Sequence, residues 1–117
     1  MNEEFKRKVI VYGSDFWDFY NDQKKKVQEK IDWIISLVQT LKILPKKFFK
    51  HIEGEDSLFE IRIKVETNIF RIFCFFDEGN LVILLNAFQK KTQKTPMNEI
   101  QKALKLKNGY YEERKAK

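Results

Sequence analysis

Apolar residues follow two different periods along this chain, and the change of period predicts its elements. Between Asp22 and Pro45, Val27, Ile31, Ile34, Ile35, Val38 and Leu41 recur at spacings of three and four. Lys24, Lys26, Glu29, Lys30 and Asp32 occupy the remaining positions, so the segment is a helix with one buried stripe. Asp22 is its expected N-cap and Pro45 its stop. From residue 58 the period falls to two. Phe59, Ile61, Ile63 and Val65 alternate with Glu60, Arg62 and Lys64, and residues 69–76 and 81–88 are almost continuously apolar. Turns at Glu66-Thr67-Asn68 and Asp77-Glu78-Gly79-Asn80 join these three strands into a meander. Upstream, residues 8–12 are β-rich up to Gly13, and Ser14 or Asp15 caps a short helix bearing Phe16, Phe19 and Tyr20. Residues 45–57 read as a basic loop. Thr95 as N-cap and Pro96 at the first position open a last helix, with Ile100, Ala103, Leu104 and Tyr111 on its apolar side.

The expected fold is therefore α+β, in one domain over residues 1–117: a short N-terminal strand, two helices, a three-stranded antiparallel meander completing a four-stranded sheet, and a C-terminal helix. Closing the second turn on Asp77 and Asn80 puts Arg71 opposite Asn86; closing the first on Glu66 and Ile69 puts Lys64 opposite Arg71. One sheet face then carries Phe59, Ile61, Ile63, Val65, Phe70, Ile72, Cys74, Phe76, Leu81, Ile83, Leu85 and Ala87, and is the side on which helices pack. The other is split. Its cationic end holds Arg62, Lys64, Arg71, Asn86 and Lys90; its apolar end holds Phe73, Phe75, Val82 and Leu84, which the last helix or a partner must cover.

Charge sharpens this picture more than composition does. The 117 residues carry a net charge of +6, and residues 86–117 hold 9 Lys/Arg against 3 Asp/Glu, so the last quarter carries the whole excess. Such a block suits a polyanion or an acidic protein. One cysteine and one histidine exclude an internal disulfide and the usual zinc sites, and no metal or cofactor is expected. No apolar run reaches the length of a membrane span, and Met1–Phe5 has no signal-peptide profile; a cytoplasmic protein is the expectation. Glycine-rich phosphate loops, a Ser-His-Asp set and paired carboxylates are all missing. What remains is Phe88-Gln89-Lys90-Lys91-Thr92-Gln93-Lys94-Thr95-Pro96, three lysines and two threonines beside an aromatic ring. Lysines stabilise a phosphate-centred negative charge, and Phe88 is a candidate ring for stacking on a base; an exposed lysine-rich turn is the ordinary alternative.

With Leu58-Phe59-Glu60-Ile61-Arg62 and Phe70-Arg71, that run resembles the RelE/HigB family of bacterial toxins, in its phage-derived Gp49-like branch. The resemblance covers nearly the whole chain. It implies the toxin of a type II toxin–antitoxin system, a ribosome-dependent endoribonuclease that cuts messenger RNA and is neutralised by a helix-turn-helix antitoxin. Cleavage by a ribose 2′-hydroxyl needs a base, cations around the phosphate and an acid for the departing 5′-oxygen. Arg62 and Arg71 match the motif arginines and are the expected phosphate ligands; Lys90 and Lys91 match the motif lysines and are the expected charge stabilisers and proton donors. Arg71 and the lysines are expected to be exposed or clustered with like charge.

Lys50, His51, Lys64, Phe88 and Lys94 are the expected RNA-binding residues, with His51 also a candidate base. Glu60 is expected to orient an arginine through a salt bridge, with a role as base the alternative, Cys74 to be inert core, and Trp17 and Trp33 to be packing residues on their helices. Two competing readings share the fold: a non-enzymatic ParE-type toxin that binds gyrase, and an inactive module that retains only antitoxin or RNA contact. A ParE-type toxin needs no cationic cluster on its sheet, so the arginines and the lysine run favour the nuclease.

Overall fold

The computed structural model describes residues 7–55 and 57–116; Met1–Phe5, on which the reading of a missing signal peptide rests, lies outside them. The elements are β1 (Lys8–Val11), α1 (Asp15–Asn21), α2 (Lys25–Thr40), β2 (Phe49–His51), β3 (Phe59–Val65), β4 (Asn68–Phe76), β5 (Leu81–Lys90) and α3 (Met97–Lys115). They form an α+β fold around one five-stranded sheet in the order β1-β5-β4-β3-β2. The meander β3-β4-β5 is as expected, and β1 joins its far edge parallel to β5.

The fifth strand corrects the expected four. Residues 49–51, read as loop, pair antiparallel with Phe59–Ile61. The cause is Phe49, buried with its ring 5.3 Å from that of Phe59 and 5.8 Å from that of Phe76. A basic sequence conceals one apolar anchor, and that anchor draws three residues onto the sheet edge.

Helix ends shift slightly from expectation. Ser14 is the N-cap position of α1, Asp22 closes α1 rather than opening α2, and Lys24 precedes α2. Pro96, with extended backbone, is the N-cap of α3 in place of Thr95. Gly13, at φ +78°, turns the chain from β1 into α1, a conformation that favours glycine.

Register explains which side chains share a face. On β3 and β4, Arg62 lies opposite Arg71, a tighter turn than expected, with Glu66 at φ +58°. The difference is two residues, so every side chain keeps its expected face. On β4 and β5 the pairs are Arg71 with Phe88 and Ile72 with Ala87, then Cys74 with Leu84 and Phe76 with Val82. Phe73 therefore faces both Leu85 and Asn86, a β-bulge that adds one residue to β5. The bulge inverts the expected faces of residues 81–85. Val82 and Leu84 join the first core, with Ile61, Ile72 and the α2 stripe, while Ile83 and Leu85 join Phe73 and Phe75.

The sheet is thus covered on both sides. α1 and α2 pack on the face of Ile61 and Ile72. α3 covers the other face, where Ile100 and Ala103 meet Phe73, Phe75, Ile83, Leu85 and Phe88; Leu104, expected there, is exposed. Polar contacts hold both ends of α3. Near its start Asn86 Nδ2 donates to the Glu99 carbonyl at 3.1 Å and to Glu99 Oε1 at 3.0 Å. At its far end Asp77 accepts from Tyr110 Oη at 2.6 Å and pairs with Arg114.

Candidate functional site

The end of the second face that α3 leaves open is where the expected cations meet. Glu60 stands on β3, 8% exposed, with Lys50 of β2 as its cross-strand neighbour. Its Oε2 lies 3.3 Å from Arg62 Nε and 3.6 Å from Arg71 Nε. The two arginines are cross-strand partners, and two guanidinium groups opposite one another repel; one carboxylate between them offsets that repulsion. Glu60 thereby has the orienting place expected of it.

Arg71 is clustered with a like charge, one of the two settings expected for it, and is not exposed but buried, at 5% exposed. Its Nη1 donates to the Phe70 carbonyl at 3.1 Å, while its Nε has no hydrogen-bond partner among the described residues. Burial lowers its pKa, Glu60 works against that shift and Arg62 adds to it.

Lys90 completes the cluster from β5, in the row Lys64–Ile69–Lys90 across three strands. Partial burial holds its ammonium below the ordinary lysine range, and Arg71 lowers it further. Glu60 acts in the opposite direction, and Arg62 and Lys50 again lower it. Four of the expected residues, Lys50, Arg62, Arg71 and Lys90, therefore share one electrostatic field.

The other expected residues divide. Lys64 is exposed on the same face. Lys91 and Lys94 are exposed past the end of β5, where Thr92 Oγ1 donates to the Lys94 carbonyl at 2.9 Å. Lys90, Lys91 and Thr92 line an open depression of about 580 Å³ with Asn68 and Gln89. Phe88 is not an exposed ring: it is 8% exposed and packs edge-to-face on Phe73 at 5.2 Å, beneath α3. Asn86 is likewise taken out of the cationic end, since it is fully buried against Glu99. His51 pairs with Phe59, its ring 5.1 Å away, and so stands on the opposite face from Arg62 and Arg71. Among the described residues no group of three or more His, Cys, Asp or Glu side chains is arranged to hold a metal, and no helix is long and apolar enough to cross a membrane.

Sequence reasoning missed a second wall. A cavity of about 400 Å³ at the unpaired edge of β3 is lined by Arg62, Lys64, Ile69 and Arg71 of the sheet, by Lys30 and Trp33 of α2, and by Lys47 and Phe48. Trp17, though 48% exposed, packs edge-on against Phe16 and Tyr20 as expected, whereas Trp33, 52% exposed, lines this cavity. The missed signal was available: Trp33 lies off the stripe formed by Val27, Ile31, Ile34 and Val38.

Against this geometry stands one comparison. Residues 18–108 match the model of the family described as phage derived protein Gp49-like (DUF891). The chain belongs to the Gp49-like family. The match takes in α2, the whole meander, the lysine run and the first part of α3. Membership agrees with the resemblance to the Gp49-like branch of RelE-type toxins and makes this a toxin–antitoxin-related protein, with an antitoxin as the partner such systems imply. A search of curated proteins gives no match.

Proposed function

We propose that this Gp49-like protein is the toxin of a type II toxin–antitoxin pair, a cytoplasmic endoribonuclease that cuts messenger RNA on the ribosome. A helix-turn-helix antitoxin silences it. The observation that carries this reading is the buried Glu60 with Arg62 and Arg71 around it, in one field with Lys90. A lone solvated charge patch needs no buried carboxylate to order it. Here the carboxylate fixes two forked donors side by side, the arrangement suited to a phosphodiester.

In the proposed reaction a ribose 2′-hydroxyl attacks the adjacent phosphorus while its proton passes to solvent water, and the bond to the 5′-oxygen of the next nucleotide breaks. Arg62 and Arg71 hold the non-bridging oxygens as charge builds on them. Lys90, whose pKa is already lowered, gives its proton to the departing oxygen, and exposed Lys91 adds positive charge beside it. Lys50, Lys64 and Lys94 engage flanking phosphates and make binding salt-sensitive.

A translation mixture programmed with one defined message tests the reading. The parent protein is expected to yield fragments ending in a 2′,3′-cyclic phosphate. Arg71→Gln and a Lys90→Ala/Lys91→Ala double variant are each expected to lose cleavage about 100-fold, the scale on which charge-stabilising groups act. Both variants cutting at the parent's rate sinks the assignment.

A further inference from the structure

The cavity beside the arginines has a chemistry of its own. It forms where β2 stops: Arg62 N–H donates to the Phe48 carbonyl at 2.9 Å, and no described strand pairs with the outer edge of β3 beyond that point. α2 closes the space from the side. Half of the lining residues are cationic and none is acidic. The rest are apolar, with the half-exposed Trp33 indole, Phe48 and Ile69 among them. At about 400 Å³ the cavity falls within the range of about 300–1,000 Å³ common for small-ligand clefts.

An exposed indole beside buried and half-buried guanidinium groups is costly to leave in water and has a specific complement. Single-stranded nucleic acid offers a flat base for the ring and a phosphate for the arginines, within one nucleotide. Lys30 Nζ lies 5.0 Å from the centroid of the Trp33 ring, so a further cation is already placed at the ring face and can turn to a phosphate oxygen. An acidic peptide would satisfy the cations, but has no general use for a planar apolar wall.

We infer that this cavity is a nucleotide subsite in which a base of single-stranded RNA stacks on Trp33 while its phosphate lies on Arg62 and Arg71. The inference rests on the proposed RNA-cleaving role and extends it: Trp33 is a positioning residue that holds the nucleotide flanking the cut. Neither α2 nor the 45–48 segment contributes any residue to the reaction itself, so this wall governs which RNA is held rather than how it is cut.

The test uses the full chain carrying Trp17→Phe, which leaves Trp33 as its only tryptophan. A mixed-sequence octaribonucleotide is expected to quench Trp33 fluorescence on binding, and an abasic ribose-phosphate strand of equal length to bind without quenching. Trp33→Ala is expected to weaken octamer binding about tenfold, and Trp33→Tyr to recover most of that loss, within the range of single base–aromatic stacks. Equal quenching by the abasic strand overturns the inference, as does unchanged affinity in Trp33→Ala. Quenching by an acidic peptide but not by RNA also overturns it, and makes the cavity a protein-docking site. The cleavage assay separates the two claims. Message cutting that is indifferent to Trp33 leaves the nuclease and removes the subsite; base-dependent quenching by a protein that cuts nothing leaves the subsite and removes the nuclease.

Discussion

The two faces of this sheet are built to different rules. Beneath α1 and α2 the surface is one apolar core, with polar side chains such as His51 and Gln89 only at its margins. The face beneath α3 is divided along its length. Phe73, Phe75 and Leu85 are sealed, while Glu60, the cross-strand partner of Phe73, and one row further on Arg62 and Arg71 form the charged end, with the two arginines lining an open cavity. The boundary falls at the β-bulge, where Phe73 faces both Leu85 and Asn86. A face that only stabilises can be uniform. One that must also present charge needs a discontinuity, and here the extra β5 residue supplies it, with Asn86 turned into the contact with Glu99 that anchors the start of α3.

If that division holds, damage on the first face should be global. Ile72 is fully buried in the first core, so Ile72→Ala is expected to cost about 2–5 kcal/mol. Against a total of about 5–15 kcal/mol that is a large share, readable as a lower urea midpoint with an unchanged slope. A loss under ~1 kcal/mol would show that this face is loosely packed and that the contrast between the faces is overstated.

On the divided face the expected effect of Arg71→Gln is in function. At 5% exposed, beside a buried Glu60 that keeps only Arg62, the expected cost is about 1–3 kcal/mol, still less than for Ile72→Ala. Denaturation measured alongside cleavage distinguishes the two sites. A 100-fold loss of cutting in a chain that stays folded belongs to the site; loss of both in proportion belongs to the core.

How much of this was legible in the chain depends on the kind of signal. The α2 stripe could be read because six apolar residues hold one helical period. The faces of β3 and β4 survived a wrong turn because the error was two residues, and a strand repeats after two. The bulge had no such protection. Within Leu84-Leu85-Asn86-Ala87 nothing distinguishes a regular strand from one with an extra residue, so a one-residue offset inverted Val82, Ile83, Leu84 and Leu85. For the site, identities were visible and surroundings were not. Arg62, Arg71 and Lys90 could be named from a motif, whereas the burial of Phe88 and the placing of His51 on the far face depend on tertiary neighbours.

A smaller effect concerns the grip on α3. Asp77 accepts from Tyr110 and pairs with Arg114, joining the β4–β5 turn to the last turns of the helix. Asp77→Ala is expected to speed hydrogen exchange for amides after residue 106 several-fold, while α2 amides keep their protection. Equal acceleration in both helices would mean that α3 does not open separately, and that the two faces unfold as one unit.

The finest division is electrostatic, and it can be read from pH. Proton donation by Lys90 requires its ammonium form, so cleavage holds below the Lys90 pKa and falls as pH rises through it. Burial and the neighbouring Arg71 place that alkaline limb below the ordinary lysine value of about 10.4. Lys50→Gln removes a positive charge that lowers the Lys90 pKa, so the limb moves to higher pH. Glu60→Gln removes the negative charge that raises it, so the limb moves to lower pH. Lys94→Gln, which takes away a charge with no part in the Lys90 shift, should weaken binding and leave the limb where it is. Stability runs the other way over the same window. A lysine whose folded pKa is lowered binds its proton more readily in the unfolded chain, so its cost to the fold is present below the folded pKa. That cost is relieved as pH rises from the folded to the unfolded value. Activity should therefore fall where the Lys90 contribution to stability improves. If the limb shifts in the same direction for Lys50→Gln and Glu60→Gln, the proton donor is not Lys90 and the field around Glu60 only binds phosphate.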